Sequence, residues 1–339
     1  MSLLNNILDN TDSVNEEIYR WCNNYNKLHA LNVISAPYNN CSIFLESVLS
    51  VVYKKGKVLY ITNEDEESIK FLKEIKKKTS FREYYYFRNK SKNDNQKKLV
   101  FCNHENSKYI EDEFDLIIYD DISSYSEYTT EDIRAAIYSK KSLKYVVYSI
   151  EEVLDYGDII EYPIKIKNTP FVEPRIINTR IDINKDIPYV MYEYLTWFAK
   201  SNKNVVIYIP DKEKKSWVFE YLKALDDTIS SLVIDIEEDK KKLLNRFKIK
   251  DICTIAITNS MHNIPKDIND LNIVVYFADH VTLDYKKLIF ICGKAVMTKG
   301  VKGSEVIFLS NTITYNMEKA KDITRTFNKL AWEKGLLSI

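Results

Sequence analysis

Two neighbouring carboxylates, Asp120 and Asp121, end the apolar run in "EFDLIIYDDISS". A carboxylate at the carboxyl end of a buried parallel strand can hold magnesium, and a second beside it can polarise an attacking water. The plainer reading is a strand end capped by solvated acids. Upstream, "NVISAPYNNCSIFLESVLSVVYKKGKVLYIT" (32–62) has the order strand, loop, helix, strand with which a phosphate-binding domain opens. Its loop, "SAPYNNCSIF", has neither glycine nor lysine. The six glycines stand at 56, 157, 293, 300, 303 and 335, so a G-x-G-x-x-G turn and an intact G-x-x-x-x-G-K-S/T loop are both absent. Each needs glycine to bring backbone N–H groups close to phosphate. The histidines (29, 104, 262, 280) show no H-E-x-x-H spacing, and no G-x-S-x-G elbow occurs. The five cysteines (22, 41, 102, 253, 292) contain no C-x-x-C pair, which excludes a zinc site of cysteine pairs. Their odd number argues against a disulfide framework and for a reducing compartment.

These residues need elements to hold them. Short β-branched and aromatic runs alternate with helical patterns throughout, which predicts an α/β chain of mainly parallel sheets flanked by helices. The first series has strands at 32–35, 57–62, 98–102, 114–120 and 144–149, with helices near 42–53, 65–78 and 130–139. The second has strands at 204–210, 231–236, 252–258, 272–279 and 304–310. Its helices lie near 186–201, 212–225, 238–248 and 282–292, with a terminal helix over 312–334. Two series predict two domains, 1–170 and 171–339, joined around 165–180. A length of 339 residues with 45% apolar content suits that division.

Forty-nine basic and 49 acidic side chains cancel, so binding to a polyanion needs a local patch. Lysine clusters occur at 73–78, 89–98 and 238–250, and "REYYYFR" (82–88) would supply rings for stacking in a groove for single-stranded DNA. The plainer reading makes these solvated helix faces and a core strand. In the terminal helix Ile323, Phe327 and Leu330 share a face, as core residues do. The polar, acidic start is unlike a signal peptide, and no apolar run approaches the ~20 residues of a membrane span. A cytoplasmic location is expected.

Motif order adds a resemblance. The loop at 36–43, the Asp pair, "AITNSMHNIP" and "FICGKAVM" follow one another as the motifs of superfamily 2 helicases do. The chain resembles the late-competence ComF operon protein A family, helicase-like ATPases of DNA uptake, over about residues 30–335. The resemblance implies two tandem RecA-like domains. It also exposes losses. Of the family's A-P-x-G-x-G-K-T loop, Ala36 and Pro37 remain; Asn39 and Cys41 replace the glycines, Ser42 the phosphate lysine and Ile43 the magnesium-binding threonine. Asp120 is kept, and Asp121 stands for a glutamate. Thr258 remains of the next motif, without its glycine. In Q-x-x-G-R-x-G-R, Gly293 is kept, while Lys294 replaces the first arginine and Met297 the final, phosphoryl-stabilising one. The family's four-cysteine zinc module is absent.

If each loss costs only ~2–3 kcal/mol, the summed deficit exceeds ~10⁵-fold in rate. The leading expectation is therefore a catalytically degenerate helicase-like protein, a DNA-binding or scaffold module with no cofactor. Single-stranded DNA or DNA-uptake proteins would be its partners. One alternative is a working DNA-dependent ATPase in which Asp120 and Asp121 hold Mg-ATP with Lys294 as the phosphate cation. Another is an unrelated α/β protein.

Overall fold

The computed structural model describes residues 2–24, 29–88, 97–164, 168–237, 245–247, 249, 252–264, 271–296 and 303–337. The chain forms two compact units, Met1–Pro170 with Phe327–Ile339, and Phe171–Thr326.

The first unit is built on seven strands: β1 (Ala30–Ser35), β2 (Val58–Thr62), β3 (Tyr84–Tyr86), β4 (Leu99–Cys102), β5 (Phe114–Asp120), β6 (Ser142–Ser149) and β7 (Asp158–Tyr162). They lie in the order β3-β4-β2-β5-β6-β1-β7, all parallel. Strands covered on both faces read as unbroken apolar runs. Accordingly β2 and β4 are buried throughout, and β5 at all positions but Asp115. The helices are α1 (Ser2–Asn23), α2 (Leu45–Tyr53), α3 (Lys70–Lys78), α4 (His104–Ser107) and α5 (Thr130–Tyr138). A capping box between Thr129 and Asp132 opens α5.

The second unit has six parallel strands: β8 (Arg175–Asn178), β9 (Val205–Tyr208), β10 (Val233–Asp235), β11 (Ile255–Thr258), β12 (Asn272–Tyr276) and β13 (Val306–Ser310). Their order is β10-β11-β9-β12-β13-β8. Helices α6 (Tyr189–Lys200), α7 (Lys212–Lys223) and α8 (Asp227–Leu232) follow in the chain, then Tyr285–Val296 and Tyr315–Glu333. Met317, Ala320, Phe327 and Ala331 are the buried apolar positions of the terminal helix, so its buried stripe lies one position off the Ile323 and Leu330 predicted from spacing.

Both parallel sheets are thus present. Five elements were not anticipated: α1, α4, β7, β8 and α8. "REYYYFR" forms β3, an edge strand whose tyrosines are half-buried. Most of the 89–98 cluster and of the 238–248 helix, and the 265–270 stretch, lie outside the described residues.

Candidate functional site

In a doubly wound sheet, ligands gather at the carboxyl ends of the strands. The loop after β1 and the Asp pair after β5 reach that edge together, since Tyr38 N–H donates to the Ile122 carbonyl at 3.0 Å. The loop turns through Tyr38, which adopts φ 61° where a glycine would be unstrained. It then enters a short 3-10 helix, Cys41–Phe44, before α2.

Every predicted residue of this loop is buried or nearly so: Asn39 is 2% exposed, Cys41 2%, Ser42 4% and Ile43 0%. Four of its amides are already bonded. Tyr38 N–H is held by Ile122, and Asn39 N–H lies 3.4 Å from the Ala36 carbonyl. Asn40 N–H donates to Asn39 Oδ1 (2.8 Å), and Ser42 N–H to Asn40 Oδ1 (3.0 Å). Two asparagine oxygens therefore sit on amides that a phosphate-binding loop would offer to its ligand. Asn39 Nδ2 donates in turn to Ser35 Oγ and the Tyr162 carbonyl, both at 3.0 Å. Helix α1 packs on the 3-10 helix and α2, burying Val14, Ile18 and Trp21. It is pinned by Thr11 to the Tyr162 hydroxyl (3.0 Å) and by Trp21 Nε1 to Asp158 (2.8 Å). Burial pushes the Cys41 thiol far up, with the Asp120 charge adding to it, so this thiol is not a nucleophile.

Asp120 is fully buried and its carboxylate is saturated. The Tyr60 and Ser123 hydroxyls donate to Oδ2 at 2.6 Å each, and the amides of Ile122 and Ser123 to Oδ1 at 3.0 and 2.9 Å. An ionised carboxylate has about four acceptor positions, so a magnesium ion would have to displace one of these donors. Burial and the Asp120 charge hold the Tyr60 phenol well above its ordinary pKa, keeping it a donor. Asp121, 3% exposed, accepts from Ser126 Oγ at 2.7 Å. Among the described residues, no group of three or more His, Cys, Asp or Glu is placed to hold a metal ion. The residues at this position do not fit magnesium and a nucleotide triphosphate.

One cation was missed by the sequence reading. Lys70, at the start of α3, donates to the Ser123 carbonyl (2.7 Å), lies 3.7 Å from Glu64 Oε1 and stands 5.5 Å above the Tyr38 ring. Glu64 Oε2 also accepts the Lys70 amide (3.0 Å), so the amino end of α3 carries its own carboxylate.

In the second unit Thr258 ends β11. Its hydroxyl donates to Glu237 (2.7 Å), which also accepts from Asn263 (3.1 Å). Lys215 of α7, 6% exposed, bridges Glu237 at 2.6 Å and Asp235 at 2.7 Å. Burial works against the Lys215 ammonium, but hydrogen bonds to the two carboxylates prevail and raise its pKa. Burial also opposes Glu237 ionisation, yet its bonds from Asp235, Lys215, Thr258 and Asn263 hold it at about 2. Burial and the bond to Glu237 push Asp235 up instead. A signal for this network was present: Lys215, Val218 and Leu222 share the buried face of α7 at helical spacing. Gly293 and Lys294 lie inside the helix Tyr285–Val296, with Lys294 only 4% exposed. Met297 lies outside the described residues. Each unit thus keeps its own part of the predicted set: the loop and Asp pair in the first, Thr258, Gly293 and Lys294 in the second.

Charge completes the description of the first sheet's carboxyl edge. The loops leaving β1, β2, β4, β5 and β6 (36–40, 63–69, 103–107, 121–129, 150–157) contain ten Asp and Glu and no Lys or Arg. Arg88, which follows β3, is paired with Glu66.

No family model matches the sequence, and no curated protein matches it. Solved structures do. The helicase domain of Pyrococcus furiosus Hef superposes with a TM-score of 0.53 at 11% identity, covering 90% of this chain and 96% of that one. Saccharomyces cerevisiae Dbp5 bound to RNA and ADP BeF3 gives 0.52 at 10% identity, covering 98% and 95%. The chain shares the fold of these helicase structures. Its two sheets match tandem RecA-like domains, two sheets and not one continuous sheet. No described helix is long and apolar enough to cross a membrane.

Proposed function

We propose that the chain is a helicase-like protein without ATPase chemistry, acting as a nucleic-acid-binding or scaffold module. The observation that carries this reading is the loop at 36–42, in which the amides of Tyr38, Asn39, Asn40 and Ser42 are held by the protein's own asparagines and carbonyls. Saturated Asp120 supports it from the metal side. A loop of this kind gains nothing from an incoming phosphate, which would have to break existing hydrogen bonds before forming its own. Nucleic acid as the ligand class is supported by the fold, since Dbp5 of the same fold is bound to RNA. In the setting of the ComF operon protein A family, the module would assist DNA uptake without being its motor.

The test is steady-state ATP hydrolysis by the purified chain, with and without single-stranded DNA, together with binding of a fluorescent ATP analogue. Neither turnover nor binding is expected. The Ser42→Lys/Ile43→Thr variant is expected to stay inactive and to lose stability, because position 42 is buried and a lysine side chain there must be forced into packed, desolvated space. DNA-stimulated turnover that disappears in Asp120→Asn would overturn the reading in favour of a remodelled motor.

A further inference from the structure

The acidic carboxyl edge of the first sheet is a poor place for a polyanion; at the opposite edge the β3-β4-β2 part is basic, while the segment entering β5 beside it holds Glu111, Asp112 and Glu113. The segments entering β2, β3 and β4 (54–57, 79–83 and 97–98) carry five lysines and one arginine against the single acid Glu83. The last turn of α3 adds Lys76, Lys77 and Lys78.

Contacts join these segments into one surface. Val58 N–H donates to the Lys98 carbonyl (2.8 Å) and Leu99 N–H to the Glu83 carbonyl (3.2 Å), which sets the three strand starts side by side. Lys98 Nζ reaches the Lys55 carbonyl at 3.2 Å. Arg82 folds back onto the carbonyls of Thr79 (2.9 Å) and Lys76 (3.4 Å), fixing the end of α3 to this edge. The turn into β2 is tight: Lys55 has φ 69°, and a Cβ at Gly56 would meet Asp115 Oδ2 at 2.9 Å.

Helix dipole and capping account for part of this charge, since cations favour the carboxyl end of α3. They do not account for Lys55, Lys57 and Lys97, which belong to no helix and make no ion pair among the described residues. Two rings lie within the patch. Tyr53 is 63% exposed and packs edge-on against Phe81, while Tyr84 sits beneath Lys76 Nζ at 5.5 Å. Lysines that track a backbone, interleaved with accessible aromatic faces, are the chemistry that holds single strands without reading sequence.

We propose that the amino-terminal edge of the first sheet, around 53–57, 76–84 and 97–98, is a binding surface for single-stranded nucleic acid. It lies at the end of the strands opposite to the one where a RecA-like domain places its ligands. The inference rests on the reading of the chain as a nucleic-acid-binding module and locates the contact surface.

The experiment is fluorescence anisotropy of a fluorescein-labelled oligothymidylate titrated with the full chain over a series of KCl concentrations. Each single-strand phosphate contact contributes about 0.7 to the log–log salt slope. Lys77→Gln/Lys97→Gln should therefore reduce the slope by about 1.4. Tyr53→Ala should weaken binding about tenfold through lost stacking, and circular dichroism melts verify that each variant is folded. Glu67→Gln/Glu152→Gln, at the carboxyl edge, should leave the affinity unchanged. Binding that these lysine and tyrosine changes do not alter overturns the location while leaving the module reading intact. No binding of the oligonucleotide at low salt overturns both. Tighter binding of duplex DNA, or binding of phosphatidylserine vesicles in place of the oligonucleotide, also overturns the proposal.

Discussion

The carboxyl edges of the two sheets quiet their polar groups by different means. In the first unit, Asp120 is surrounded by hydroxyls and amides, and the β1 loop is closed by asparagine oxygens. In the second, Thr258 is engaged by a three-charge network of Lys215, Asp235 and Glu237. The first arrangement is deep and its donors are neutral. The second is shallower, since the Glu237 side chain remains 31% exposed, and it depends on ionisation. Polar groups at a strand end can thus be held by neutral donors or by a network of charges.

The largest test of this contrast is Asp120→Ala. It leaves two buried hydroxyls and two amides without their acceptor, and should cost about 3–5 kcal/mol in urea unfolding. A loss below about 1 kcal/mol would mean that packing alone holds this edge. Next is Asn39→Ala, which removes bonds to Ser35, Tyr162 and the Asn40 amide. About 2 kcal/mol is expected, with no gain of nucleotide binding. Such a gain would show that the asparagines were all that kept phosphate out.

The smallest effect separates the two edges by pH. Glu237 ionises in the fold at about 2, below its ordinary 4.5. Its stabilisation is therefore present above about pH 4.5 and is lost as pH falls toward 2. Raised Asp235 acts in the opposite sense and reduces the net effect. Glu237→Gln should lower the melting temperature at neutral pH, with the gap to the parent closing between pH 4.5 and 2. A gap that stays constant over that window would remove the charge network from the account.

Much of the fold was legible because buried parallel strands have an unmistakable composition. "FDLIIYD" is β5 residue for residue. The strands that escaped notice sit at sheet margins: β7 begins with half-exposed Asp158 and Ile159, and β8 is exposed or half-exposed throughout. Helix α1 escaped because its polar start hides the apolar stripe of Val14, Ile18 and Trp21. At the candidate site, the absence of lysine and glycine from the β1 loop was plain from residue types. That Asn39 and Asn40 would occupy the loop's own amides was not, since an asparagine in a turn can point to water or inward. The basic edge was half visible as lysine runs. The sheet order was needed to bring 54–57 beside 97–98, because β2 and β4 are neighbours in space but not in sequence.

Helix α1 has a consequence for how the chain is made. Its anchors Trp21 and Thr11 bond to Asp158 and Tyr162, partners 137 and 151 residues away. Glu161 and Asn168 in turn await Lys334 and Leu336 near the far terminus. During synthesis at ~5–20 residues per second, the first of these two units cannot be completed until residues 327–336, which follow the second unit, have been made. Closing such distant pairs is the slow kind of folding step.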